Sequence, residues 1–394
     1  MTVSILGLGT ALPQHQLPQG TAAAMSSGFC CDDDAQTKRF ESLYLRSGVQ
    51  SRHSVLLETG AGNGNGHTDG NGSGSGEGTG KAQDLSQSFF LPRRSDGDMG
   101  PGTEERMQRY IAAAAPLAQE SSQLALKRAA VAPDAIDHLV TVSCTGFAAP
   151  GVDIALIERL GLRRDVSRTH VGFMGCHGVF NGLRVGNAMA NQGAGGAGGA
   201  GAGHVLVCAV ELCSLHFAYG WDVGRVVANA LFADGSGAVV LGATGSGGAA
   251  DSERGWQLAA NGSCVVPESN GAMTWNITDN GFAMTLSPQI PALIRQHLKP
   301  WLEGWLAKHE LTVEQVGSWA VHPGGPRILQ SVEAALELPD DALADSRAVL
   351  EGYGNMSSPT ILFILDRLRN RNAERPCVAL GFGPGLAIEA MLLR

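Results

Sequence analysis

The chain has 394 residues, 44% of them apolar and 16% charged, with a formal net charge of −9. That length can bury a large core and suits two domains or one duplicated architecture, and the acidic balance argues against a nucleic-acid surface. No apolar run approaches the ~18 residues of a membrane span, and the opening Met1-Thr-Val-Ser-Ile-Leu-Gly7 lacks the basic stretch of a signal peptide. The eight cysteines show no CxxC and no metal-ligand spacing, which points to a reducing cytoplasm rather than to a zinc site or a disulfide framework.

Residues 3–9 read as a buried strand running into Gly7-Leu-Gly9. This GxG has no third glycine before a helix, so it reads as a turn and not as a nucleotide loop. Over residues 35–53 an amphipathic pattern (Phe40, Leu43, Leu45, Val49) carries Lys38, Arg39, Arg46 and Arg52. Residues 58–80 are mostly Gly, Asn and Ser, and the stretch 58–102 is expected to form a flexible insertion. The all-Gly/Ala stretch 193–203 and residues 245–255 are read as two further flexible joins. Elsewhere helices and buried strands alternate. Helices are predicted over Glu104–Ala130, Val152–Leu160, Val223–Phe232, Pro291–Lys308, Arg327–Leu336 and Pro359–Arg369, with strands at His138–Ser143, His204–Val210, Ser236–Leu241 and Trp319–Val321. Such alternation means an α/β protein, and the similar plan of residues 1–243 and 244–394 suggests duplication.

Three stretches carry chemistry. In Val171-Gly-Phe-Met-Gly-Cys176-His-Gly178, a strand meets a helix at a glycine-bordered cysteine. A helix N-terminus favours a thiolate there, although a free cysteine also packs as a small hydrophobe, and this stretch alone leaves both readings open. In Trp319-Ala-Val-His322-Pro-Gly-Gly325, a strand delivers a histidine into a tight turn. In Glu351-Gly-Tyr-Gly-Asn355-Met-Ser-Ser-Pro359, an amide stands between glycine and a helix start. A cysteine with a histidine supplies a nucleophile, and histidine with asparagine supplies two donors for one carbonyl oxygen. Cysteine hydrolases use the same residue types, so order and spacing alone leave the reaction open.

Gly175-Cys176, Ala230-Leu-Phe232-Ala-Asp-Gly235, His322-Pro-Gly-Gly325, Tyr353-Gly-Asn-Met-Ser-Ser358 and Gly381-Phe-Gly383-Pro384-Gly385 together resemble a type III polyketide synthase, the chalcone synthase-like branch of the thiolase superfamily. The resemblance implies a thiolase fold of duplicated five-layer αβαβα architecture and a homodimer. It implies iterative decarboxylative Claisen condensation of malonyl-CoA onto an acyl-CoA starter, then cyclisation to a pyrone, resorcinol or related aromatic, with CoA thioesters as substrates and no metal or other cofactor. A single-round ketoacyl synthase and a cysteine acyltransferase or hydrolase on the same fold are the alternatives. By resemblance Cys176 holds the acyl chain, His322 keeps it as thiolate, His322 and Asn355 bind the thioester oxygen, and Phe232 is an aromatic gatekeeper.

The same resemblance places Cys144, Thr145, Cys213, His216, Trp275, Met284, Gly383 and Pro384 around the substrate pocket. Several depart from the plant enzymes: Cys144, Cys213 and His216 stand at threonine positions, Met284 at an aromatic one, and Trp275 at a small one. They imply a bacterial-type pocket whose volume Trp275 reduces on one side, compatible both with a tunnel for an aliphatic starter and with a shrunken cavity making a short pyrone. For CoA binding it implies Arg39 and Arg46, with Gly324 and Gly325 at the turn after His322.

Overall fold

The computed structural model describes residues 2–59, 85–95, 97–193, 203–244 and 255–394. The three glycine-rich stretches read as flexible fall largely outside the described residues. One mixed sheet of nine strands carries the chain. Its strands are β1 (Thr2–Ala11), β2 (Ile136–Ser143), β3 (Ser167–Gly172), β4 (His204–Leu212), β5 (Asp234–Thr244), β6 (Trp256–Val265), β7 (Ser318–Val321), β8 (Cys377–Gly383) and β9 (Ala387–Leu393). Across the sheet they run β7-β8-β9-β6-β1-β5-β4-β2-β3.

The pairing pattern repeats. In the first half β1 and β5 are antiparallel, β5 and β4 antiparallel, and β4 and β2 parallel. In the second half β6 and β9, β9 and β8, then β8 and β7 repeat those directions. The duplication suggested by the sequence is thus built into the sheet, whose halves join where β1 pairs with β6.

Alternate residues face opposite layers, as the pleat requires. In β4, Leu206, Cys208, Val210 and Leu212 pack under helix α3 (Thr103–Ala129), while Val205, Val207 and Ala209 face inward. In β8, Val378, Leu380 and Phe382 pack with α7 (Ile290–Ala307) and α8 (Pro326–Leu336). Cys377 and Ala379 of β8 face inward. Between the two halves lie α5 (Gly178–Gly193) and α10 (Thr360–Asn370), the latter buried over its whole first half. The layers therefore run α-β-α-β-α, the thiolase arrangement.

Three expectations are corrected. Gly7 and Gly9 lie within β1 and not in a turn; a Cβ on either would stand 2.2–2.3 Å from the α3 backbone oxygens of Ala125 and Ser121. They are glycine because α3 lies directly on β1. Second, the described part of 58–102 is anchored at two points: Glu58–Thr59 pairs with Leu85–Ser86, and Phe90 is buried against Phe29, Phe217 and Tyr219. Its aromatic pair Phe89-Phe90 overrides the bias of its neighbours. Third, α1 (Gln19–Cys30) and α9 (Ala344–Tyr353) have no counterpart in the sequence reading, and α2 (Asp34–Leu45) covers only the first part of the amphipathic stretch. Short, Ala/Ser-rich α1 is held by tertiary contact, the Gln19 amide donating to Ala230 O at 2.7 Å and to Ser47 Oγ at 2.9 Å.

Candidate active site

In an open α/β sheet, chemistry gathers beyond the carboxyl ends of the strands. Here β2 leads into Cys144-Thr145, β3 into Cys176, β4 into Cys213 and His216, β7 into His322, and β8 into Pro384.

Cys176 sits in a tight turn, Gly175–His177, just before α5. The chain enters it through two residues of positive φ, Phe173 (60°) and Gly175 (72°). Any Cβ on Gly175 would lie 2.5 Å from the Pro384 ring, so only glycine lets Pro384 close over the turn. The thiol is buried, and burial pushes it up to about 11, against hydrogen bonding to Ser357 and Asn355, with the Glu211 charge adding to the rise.

His322 extends β7, its N–H donating to Leu380 O at 2.8 Å. Since Val321 pairs with Leu380, His322 stands beside Gly381 on the inner face. The bare face of Gly381 takes the Phe180 ring and Cβ of His177, so His322 lies against the Cys176–His177 turn. Burial, with the charge of His177 adding, pulls the His322 imidazole down to about 3. Neither of its ring nitrogens has a hydrogen-bond partner among the described residues, although the side chain is only 1% exposed. Burial thus holds the thiol and the imidazole each neutral.

Asn355 is pinned to the segment around Phe232: its N–H donates to Leu231 O at 2.8 Å and its carbonyl accepts from Ala233 N at 2.9 Å. Its Oδ1 accepts from Ser357 N at 2.8 Å. The donor end of the amide, Nδ2, is left for the Cys176 side. Phe232, between those anchors, is half-buried, and its carbonyl accepts from Arg52 Nη1 at 2.9 Å.

Glu211 was not singled out in the sequence. It is a fully buried carboxylate that accepts from Cys144 N (2.9 Å), Thr145 N (3.0 Å), Thr145 Oγ1 (2.7 Å) and Ser358 Oγ (2.6 Å). It ties the loop after β2 to the loop after Asn355, and burial pushes its carboxyl up despite those bonds. A glutamate closing the apolar run His204–Leu212 was the available signal.

One cavity is lined by Cys144, Thr145, Cys176, Cys213, His216, Phe232, Trp275, Met284 and Pro384, so the structure brings these nine expected positions together. Both ring nitrogens of His216 are occupied: Nδ1 accepts from Phe282 N at 3.0 Å, which leaves Nε2 to donate to Thr145 O at 2.6 Å. Burial pulls it down to about 3, so it is a neutral wall. Trp275 Nε1 donates to Cys144 O at 2.7 Å, which fixes the indole across one side. The thiols of Cys144 and Cys213 are driven well up by burial, with the Glu211 charge adding to the rise.

Other expected positions lie elsewhere. Gly383 is not on the cavity: a Cβ there would meet the His177 ring at 2.2 Å, so this glycine makes room for His177. Gly325, at φ 147°, starts α8 against Leu231, and neither it nor Gly324 lines the cavity. Arg39 and Arg46 are exposed and off the cavity; Arg46 Nε turns back to Ser42 O of its own helix at 3.1 Å. Exposed cations on α2 follow the solvent face of that helix, which fixes no direction toward a ligand.

Residues 94–245 match the N-terminal domain model of the chalcone and stilbene synthases, and residues 257–394 match its C-terminal domain model. The 1,3,6,8-tetrahydroxynaphthalene synthase of Streptomyces peucetius subsp. caesius is 32% identical, over 99% of this chain and 93% of the relative. The alpha-pyrone synthesis polyketide synthase-like Pks18 of Mycobacterium tuberculosis is 29% identical, over 99% of this chain and 91% of the relative. The crystal structure of PKS-I from the brown alga Ectocarpus siliculosus superposes with a TM-score of 0.85 at 30% identity, covering 100% of this chain and 98% of that one. The chain therefore belongs to the chalcone and stilbene synthase family, as a type III polyketide synthase of the thiolase fold.

Proposed function

We propose that this chain extends an acyl-CoA starter with malonyl-CoA by repeated decarboxylative condensation on Cys176 and then cyclises the chain in the same cavity. The observation that carries the reading is His322: a buried imidazole with both nitrogens unpartnered, against the Cys176 turn. An unsatisfied buried polar group costs about 1–3 kcal/mol, and a substrate oxygen would satisfy it.

The steps follow from that geometry. Cys176 passes its proton to His322, the thiolate attacks the starter carbonyl, and the departing CoA sulfur takes the proton back. A malonyl thioester then places its carbonyl oxygen between Asn355 Nδ2 and an N–H of His322. The bond to the malonyl carboxylate breaks, CO2 leaves, and the electron pair moves onto that oxygen as an enolate held by the two donors. Its carbon attacks the Cys176 thioester, forming the new C–C bond and freeing the Cys176 sulfur. The lengthened chain, now on CoA, returns to Cys176 for the next round. Loss of CO2 supplies the carbanion equivalent, so the chemistry asks for no metal and no redox cofactor. The apolar wall helps, because a desolvated carboxylate is destabilised relative to neutral CO2.

The active unit we propose is a homodimer. Strand β3 pairs only with β2 among the described strands, and Phe147, Ile111 and Met174 are exposed beside that edge. The experiment is CO2 release from malonyl-CoA together with mass spectrometry of products from an acyl-CoA panel. Products carrying two or more malonyl units support the reading. Free acids without CO2 release, or single-condensation products only, would overturn it.

A further inference from the structure

Two cationic side chains line the cavity that reaches Cys176, Arg52 and Arg225. Arg52 is committed to the protein: its Nη1 donates to the carbonyls of Asn229 and Phe232, and its guanidinium lies 5.3 Å from the centre of the Tyr44 ring. Arg225 is not. It lies on α6 (Val223–Leu231), exposed at the mouth, and its guanidinium has no hydrogen bond or ion pair among the described residues. The nearby acid, Asp222, caps α6 by accepting the backbone N–H of Arg225 at 2.9 Å.

We propose that Arg225 binds the phosphate groups of the CoA thioester. This rests on the synthase reading above. α6 runs along the cavity from Arg225 to the gatekeeper Phe232, about 10 Å at helical rise. The pantetheine arm between sulfur and phosphate has as many backbone bonds as four extended residues, about 14 Å. With its acyl sulfur at Cys176, a CoA lying along α6 therefore brings its phosphates to the guanidinium of Arg225. That planar fork takes two phosphate oxygens at once, which an ammonium does not. Arg39, by contrast, lies off the cavity, its guanidinium 5.9 Å from the centre of the Trp221 ring.

The test uses binding, so that it is independent of turnover. Coenzyme A and pantetheine, which lacks the phosphates, are titrated into the full-length wild type, Arg225→Ala and Arg225→Lys. Arg225→Ala should weaken coenzyme A about tenfold and leave pantetheine unchanged, with Arg225→Lys in between. Coenzyme A affinity unchanged in Arg225→Ala would overturn the assignment. So would equal weakening of both ligands, which would mark a packing role. Turnover of malonyl-CoA by the same wild-type preparation judges the synthase reading separately.

Discussion

Asn355 Oδ1 accepts the N–H of Ser357 at 2.8 Å, and this bond decides which end of the amide faces Cys176. Ser357 holds a positive φ of 56° in the same turn, so the anchor is built by the backbone itself. Asn355→Asp keeps an acceptor for Ser357 but loses the donor. Decarboxylation of malonyl-CoA should fall about 10²–10³-fold, the usual cost of one oxyanion donor. Starter loading on Cys176, followed by intact mass, should fall far less. Equal losses in both assays would contradict the role.

Glu211 gathers its donors without a cation beside it among the residues that contact it. Glu211→Gln turns an NH2 toward donors that need an acceptor. The variant should lose about 1–3 kcal/mol of stability and a few degrees of Tm. An unchanged melting curve would show that the loops after β2 and Asn355 are held by other contacts.

His322 gives stability a pH dependence with a definite sign. Its imidazole is held down to about 3 in the fold against an ordinary 6.5, so between those values the unfolded chain binds the extra proton. Stability from this group is present above 6.5 and is lost as pH falls toward 3, at about 1.4 kcal/mol per pH unit. His216 contributes in the same direction, while the raised carboxyls of Glu211 and Asp234 oppose it. Denaturation of wild type and His322→Gln at pH 6.5, 5.5 and 4.5 isolates the His322 part. The variant should show the shallower fall; parallel curves would contradict the burial argument.

Trp275 closes one side of the cavity and is tied to Cys144 O. Trp275→Ala should widen the range of accepted starters or add extension rounds, read as heavier products, while Trp275→Phe should move the pattern less. An identical product profile in Trp275→Ala would place the limiting wall elsewhere.

Cys176, His322 and Asn355 stood out in the sequence through the motifs around them and the family those motifs resemble; the glycine-bordered turns alone left their roles open. The core strands were legible as short continuous apolar runs, because they are buried on both faces. Gly7 and Gly9 were not, because their reason is the α3 backbone, far off in sequence. Gly383 was assigned to the pocket, but its small size serves the ring of His177. Arg225 and Arg39 are both exposed helix arginines; only the path of the cavity separates them.

The most direct test is intact and peptide mass spectrometry after incubation with an acyl-CoA starter, for wild type, Cys176→Ala, Cys144→Ala and Cys213→Ala. A single acyl thioester on Cys176, lost only in Cys176→Ala together with all malonyl-extended products, is the predicted result. An adduct on Cys144 or Cys213, or extended products from Cys176→Ala, would contradict the assignment of Cys176 as the nucleophile.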